Sequence, residues 1–158
     1  MPRRHLTFDE IDHRLLDLLQ RDAGSTLRIL GAAVGLSASA VQRRINRYRA
    51  AGVLERHVAV LDLERTADIV LAVVLVTLER ESSRHHAAFR RRLLEVPEVQ
   101  QAYDVSGEWD YVVLLATTGM ARHKELAQHL FKDAPNVQRF TTMFVLDPVR
   151  TGTYLPTR

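Results

Sequence analysis

Residues 27–53 read LRILGAAVGLSASAVQRRINRYRAAGV, and no other stretch constrains the chain as much. Leu27, Leu30 and Val34 recur at spacings of three and four, which lays one apolar stripe along a short helix. Gly35 follows the last periodic residue, where a left-handed backbone suits glycine, so it reads as the stop. Ser37 offers a hydroxyl to cap a second helix. In that helix Val41, Ile45 and Tyr48 face inward, while Gln42, Arg43, Asn46, Arg47 and Arg49 point elsewhere. Two helices around a tight turn, the second rich in arginine, have the shape that sets a helix into the major groove of double-stranded DNA.

The upstream sequence predicts a supporting helix from about Phe8 to Arg21, ending near Ala23-Gly24. Thr7 and Glu10 have capping-box spacing, and Ile11, Leu15, Leu18 and Leu19 form its stripe, with Leu16 widening it. After Gly52, the valine-rich run Val53–Val60 alternates loosely and reads as a short strand or wing. Charge agrees with a polyanionic partner for this half. Residues 1–60 hold ten arginines against six acids, a net +4; residues 61–158 hold twelve Lys/Arg against thirteen acids, a net −1.

The second half has a different rhythm. Residues 61–68 lack a pattern and read as a linker between a 1–60 helix–turn–helix domain and a 69–158 domain. A β-branched strand from Ile69 to Leu78 is followed by a helix over Arg84–Leu94, which Pro97 ends. Strands over Glu98–Val105 and Trp109–Ala116 flank a Ser106-Gly107-Glu108 turn. A helix capped by Thr117 or Thr118 runs through Phe131, and a strand over Asn136–Leu146 closes the series. The order β-α-β-β-α-β predicts a ferredoxin-like four-stranded antiparallel sheet with two helices on one face. The fold class is therefore α+β, a winged helix–turn–helix domain followed by this sheet domain. The uncovered face would pair two copies, burying Val74, Val76, Val112 or Leu114 and their like; either parity fits the sequence.

The Gly-Leu-Ser turn, the Gly-Val-Leu exit and the Val105-Ser106-Gly107-Glu108-Trp109-Asp110-Tyr111 segment together resemble the Lrp/AsnC (feast/famine) family of transcription regulators. The likeness runs from Leu6 to Val145. It implies a DNA-binding regulator that forms dimers and then higher assemblies, most often octamers, and that answers to an amino acid or related small effector. By position it implies that Ser37, Ser39, Gln42, Arg43, Arg44 and Arg47 face DNA, and that Gly107, Asp110 and Tyr111 form the effector turn. Arginine can fork guanine or phosphate and glutamine can bracket adenine, while Asp110 can hold an α-ammonium. The chain departs from the family where Gly31 replaces a usual alanine, at a helix-propensity cost of ~1 kcal/mol. The tail Thr151–Tyr154 also lacks an expected lysine.

Other chemistry finds less support. The absence of cysteine excludes disulfides, thiolate metal sites and a cysteine nucleophile, and fits a cytoplasmic, nucleoid-associated protein. No signal peptide is legible at Pro2–His5, and the longest apolar run, Ile69–Val76, falls short of the ~20 residues a membrane span needs. His85, His86, His123 and His129 lack metal-site spacing. Asp104, Glu108 and Asp110 cluster without a nucleophile or phosphate cradle, so no metal, cofactor or catalytic residue is expected. The alternatives are an effector-independent architectural protein that wraps DNA and, on fold analogy alone, a small enzyme.

Overall fold

A computed structural model describes residues 6–63, 65–66, 68–80 and 82–158. The chain divides into two compact units, 1–60 with 150–158, and 61–149. The tail, expected to belong with the sheet, thus clusters with the first unit. Its polar groups meet one helix there: Leu155 exchanges backbone bonds with the Gln20 amide at 2.7 and 3.0 Å, and the Tyr154 hydroxyl donates to Asp17 at 2.8 Å.

The first unit holds three helices, α1 (Glu10–Arg21), α2 (Leu27–Val34) and α3 (Ala38–Ala50). Leu15, Leu16 and Leu19 of α1 pack with Leu30 and Val34 of α2 and Val41, Ile45 and Tyr48 of α3. The cap of α1 lies two residues beyond the expected Thr7–Glu10 pair. Asp9 Oδ1 accepts from Asp12 N at 2.7 Å and Asp12 Oδ2 accepts from Asp9 N at 3.0 Å, because a short carboxylate reaches its own N3 amide readily. Thr26 and Ser37 cap α2 and α3, and Gly35 ends α2 at φ 72°. Residues 53–60 form no strand. Val58 and Val60 stand in solvent, with no ladder partner to make the expected wing a strand.

Gly31 has a packing reason that outweighs its poor helix propensity. A Cβ there would sit 2.4 Å from the Leu36 carbonyl oxygen, while Leu36 N donates to Gly31 O at 2.9 Å. The tight turn between α2 and α3 therefore closes over a residue without a side chain.

The second unit follows the expected βαββαβ order: β1 (Ile69–Leu78), α4 (Ser83–Leu94), β2 (Val99–Asp104), β3 (Tyr111–Thr118), α5 (Gly119–Ala127) and β4 (Val137–Phe144). A π-helical turn, Gln128–Lys132, continues α5. The sheet is antiparallel throughout, in the order β2-β3-β1-β4. Val74, Val76, Leu78, Tyr111, Val113 and Leu115 lie beneath Phe89 and Leu93 of α4 and Leu130 and Phe131 of the α5 extension.

Register settles the parity that the sequence left open. Val73 pairs with Leu114 and Leu75 with Val112, on the face away from the helices. Val112 and Leu114 thus point outward as expected, whereas Val74 and Val76 are core residues. Leu71, Val73, Leu75, Val112 and Leu114 remain half-buried, and Met143 is exposed beside them. No helix among the described residues is long and apolar enough to cross a membrane.

Candidate nucleic-acid interface and effector turn

The surface of α3 follows from its core contacts. With Val41, Ile45 and Tyr48 inward, 100° per residue puts Ser39, Arg43 and Asn46 on the opposite side. Arg43 is exposed and has no charged partner among the described residues. Gln42 flanks it, its amide donating to Asn46 Oδ1 at 2.8 Å, so the two amides form one linked pair on the reading side. Asn46 was missing from the sequence-derived site, although helical spacing from Gln42 and Arg43 marks it. Ser37 is engaged: its hydroxyl caps Ala40 N at 3.3 Å and meets the Ser39 hydroxyl at 3.1 Å. It sets the start of α3 while Ser39 stays outward.

Arg44 and Arg47 are placed differently from expectation. Arg44 donates to Asp12 at 2.5 Å and to Asp9 at 3.0 Å, and Arg47 donates to the other Asp12 oxygen at 2.5 Å. The Tyr48 hydroxyl completes the cluster with a 2.5 Å bond to Asp12. Asp12 is only 1% exposed. Burial pushes its carboxyl up, but the Tyr48 hydroxyl, the Asp9 backbone N–H and the two guanidiniums outweigh this and hold it well below the usual carboxylate range. Arg44 follows Val41 by three and precedes Tyr48 by four, so it shares the inward face. Asp12 likewise extends the stripe of Leu15, Leu16 and Leu19. These two spacings were the available signal for a buried ion cluster joining α1 to α3.

In the second unit, Gly107 adopts φ 140°, a conformation that side chains rarely take. Asp110 lies where β1 changes register against β4 between Thr77 and Leu78. Its Oδ2 accepts from Leu78 N at 2.6 Å, and its backbone N–H donates to Val76 O at 2.9 Å. Trp109 carries the Arg139 guanidinium 4.3 Å from its ring centroid, and Glu108 pairs with the same guanidinium at 2.9 Å. Tyr111 is turned away from this group. It is 1% exposed beneath α4, with its hydroxyl 2.8 Å from His86 Nδ1 and its ring edge-on to Phe89. Strand alternation puts Tyr111 on the core side, so its side chain supports the turn from below. The geometry therefore brings Gly107 and Asp110 together and removes the Tyr111 side chain from the turn surface.

A family model described as the AsnC-type helix-turn-helix domain matches residues 8–49, and one described as the Lrp/AsnC ligand binding domain matches residues 71–155. The DNA-binding transcriptional activator DecR of Escherichia coli K12 is 32% identical over 148 residues, covering 94% of this chain and 97% of that one. The glutamate uptake regulatory protein of Zymomonas mobilis is 29% identical, with 94% and 90% covered. Among solved structures, a transcriptional regulator of Neisseria meningitidis in complex with L-Met superposes with a TM-score of 0.86 at 27% identity, covering 95% of this chain and 97% of that one.

Proposed function

The chain belongs to the Lrp/AsnC family of transcriptional regulators, and from that premise we propose that α3 reads DNA through Ser39, Gln42, Arg43 and Asn46 while the Gly107–Asp110 turn takes an amino-acid effector. It is a DNA-binding regulator and not an enzyme. The observation that carries the reading is the exposed Arg43, without a charged partner among the described residues, at the centre of the outward face of a capped helix. A guanidinium there can fork a guanine edge, and Gln42 with Asn46 can address adenine. Arg47 is half-exposed at its rim and adds phosphate contact; Arg44 serves the fold.

For the effector, the L-Met complex of the Neisseria relative supports an amino acid. Asp110 Oδ1 is left for an α-ammonium after Oδ2 takes Leu78 N. The open sheet face, with Leu71, Val73, Leu75, Val112 and Leu114, is a surface for a second copy, and dimers assemble further into octamers in the cytoplasm. A twofold dimer places two α3 helices on successive major-groove half-sites.

The test is gel-shift titration of Arg43→Ala against a selected site and its single-base variants. Loss of about 1–3 kcal/mol confined to particular base pairs supports base reading, whereas uniform weakening of all sequences overturns it. A steep salt dependence with almost no preference among sequences would favour the architectural reading instead.

A further inference from the structure

The second unit has a groove far from the DNA-reading helix in sequence and absent from the roles assigned above. It lies between α5 with its π turn and the edge strand β4, encloses about 510 Å³, and has an apolar floor of Met120, Ala127, Phe140 and Phe144. Lys124, Gln128 and Lys132 recur every fourth residue along its rim. The chain contains two lysines among its 22 basic residues, and both are here, exposed and without an acidic partner among the described residues. Among the described residues no carboxylate lines the groove itself, and Asp133 beside it accepts from the Gln128 amide at 2.6 Å.

A second observation is independent of the rim. His123 is 96% buried against the groove, edge-on to Phe144 at 5.0 Å, and its Nδ1 has no hydrogen-bond partner. Buried polar atoms are almost always satisfied, so an orphaned ring nitrogen beside a cavity marks a place where a polar atom from outside belongs. The helix dipole accounts for cations near the end of α5 but not for this imidazole. The π-helical turn that carries Lys132 is also a rare geometry, met most often at functional sites.

We propose that this groove binds a small monocarboxylate with an aryl or branched-alkyl tail: the tail on Phe140 and Phe144, the carboxylate between Lys124 and Lys132, and the His123 ring turned so that its now enclosed Nδ1 meets a ligand oxygen. An α-amino acid fits less well, because its ammonium would stand beside two lysines while the Asp133 carboxylate at the rim is taken up by the Gln128 amide at 2.6 Å. The site therefore answers to acids that lack the amino group and is separate from the Gly107–Asp110 turn. Burial lowers the proton affinity of His123, so the positive field comes from the lysines.

The experiment titrates the full chain with 3-phenylpropanoate and 4-methylpentanoate, following the Met120 methyl and His123 imidazole signals by NMR, with phenylalanine and leucine as controls. Saturable shifts at both residues, weakened about tenfold or more in the Lys124→Met/Lys132→Met double variant and for the amino-acid controls, are expected. These lysines are exposed, so the variant keeps its fold, and its circular dichroism is compared with the parent. No shift up to ~10 mM, equal binding by the double variant, or equal binding of phenylalanine in this groove overturns the proposal. A change in particle mass of the double variant without ligand binding would assign the groove to a second copy and overturn it as well. Loss of amino-acid response in an Asp110 variant leaves these shifts untouched, so the two sites fail separately.

Discussion

The outward face of α3 and the β2–β3 turn are the two regions where the sequence pointed to a ligand, and they are built in opposite ways. On α3, the outward groups proposed to read DNA are little used by the core: Arg43 is exposed, the Gln42 and Asn46 side chains bond only to each other among the described residues, and Arg44 and Arg47 turn to Asp12. At the turn, most polar groups already serve the fold. Asp110 holds Leu78 N through Oδ2, leaving Oδ1, and Glu108 holds Arg139. On the proposed assignment, DNA would meet a preorganised helix face, whereas an effector would bind beside bonds that fix the end of β1. A ligand that exchanges such bonds shifts the populations of two arrangements, which is the requirement for coupling a small molecule to DNA binding.

Removing the Asp12 cluster gives the largest effect. Asp12→Ala leaves the partly buried Arg44 with Asp9 alone and strips the Tyr48 hydroxyl and Arg47 of their shared acceptor, and should cost about 3 kcal/mol in urea denaturation, with a fall in DNA affinity that follows unfolding of the first unit. Retention of full stability would break the contrast by making Arg44 as free as Arg43. Acid gives a parallel measurement. The native Asp12 carboxyl is depressed, so its contribution is complete above the unfolded value of about 4 and is lost as pH falls from there towards the native value. In Asp12→Ala, the difference between the melting temperatures at pH 6 and pH 3 should shrink.

A smaller effect is expected at Gly31. Alanine gains ~1 kcal/mol in helix propensity, but its methyl meets the Leu36 carbonyl, an overpacking cost of about 1–3 kcal/mol. A net loss of roughly 1 kcal/mol, read by thermal denaturation, would show that the turn needs glycine; net stabilisation would show that the turn relaxes. The smallest effect separates the two roles of Asp110. Asp110→Ala orphans the Leu78 N–H, at a cost of about 1 kcal/mol, and should abolish amino-acid response in light scattering or gel shift. The same stability loss with the response intact would leave Asp110 as a hairpin residue alone.

Much of α3 was legible because a helix with three clear core positions fixes the direction of every other residue. The family resemblance put Arg44 with the DNA-facing residues by position, whereas its spacing from Val41 and Tyr48 turns it towards Asp12. The sheet was less legible. Alternation in β1 and β3 separates two sets of residues, but both sets are apolar, so pattern alone cannot say which one the helices cover. Tyr111 was grouped with the turn by the family resemblance, although the residue following Asp110 faces the opposite side of the strand.

The sequence by itself determined the three-helix unit, the βαββαβ order, and the cap and stop at Ser37 and Gly35, because these follow from local periodicity and backbone preference, and composition alone set the positive charge of the first 60 residues. Only the tertiary structure decided which sheet face is open, that Asp12 gathers Arg44, Arg47 and Tyr48, that the tail joins the first unit, and that His123 is left beside a groove with both lysines. Each of these depends on residues brought together across long stretches of chain, by packing forces that local preference does not encode.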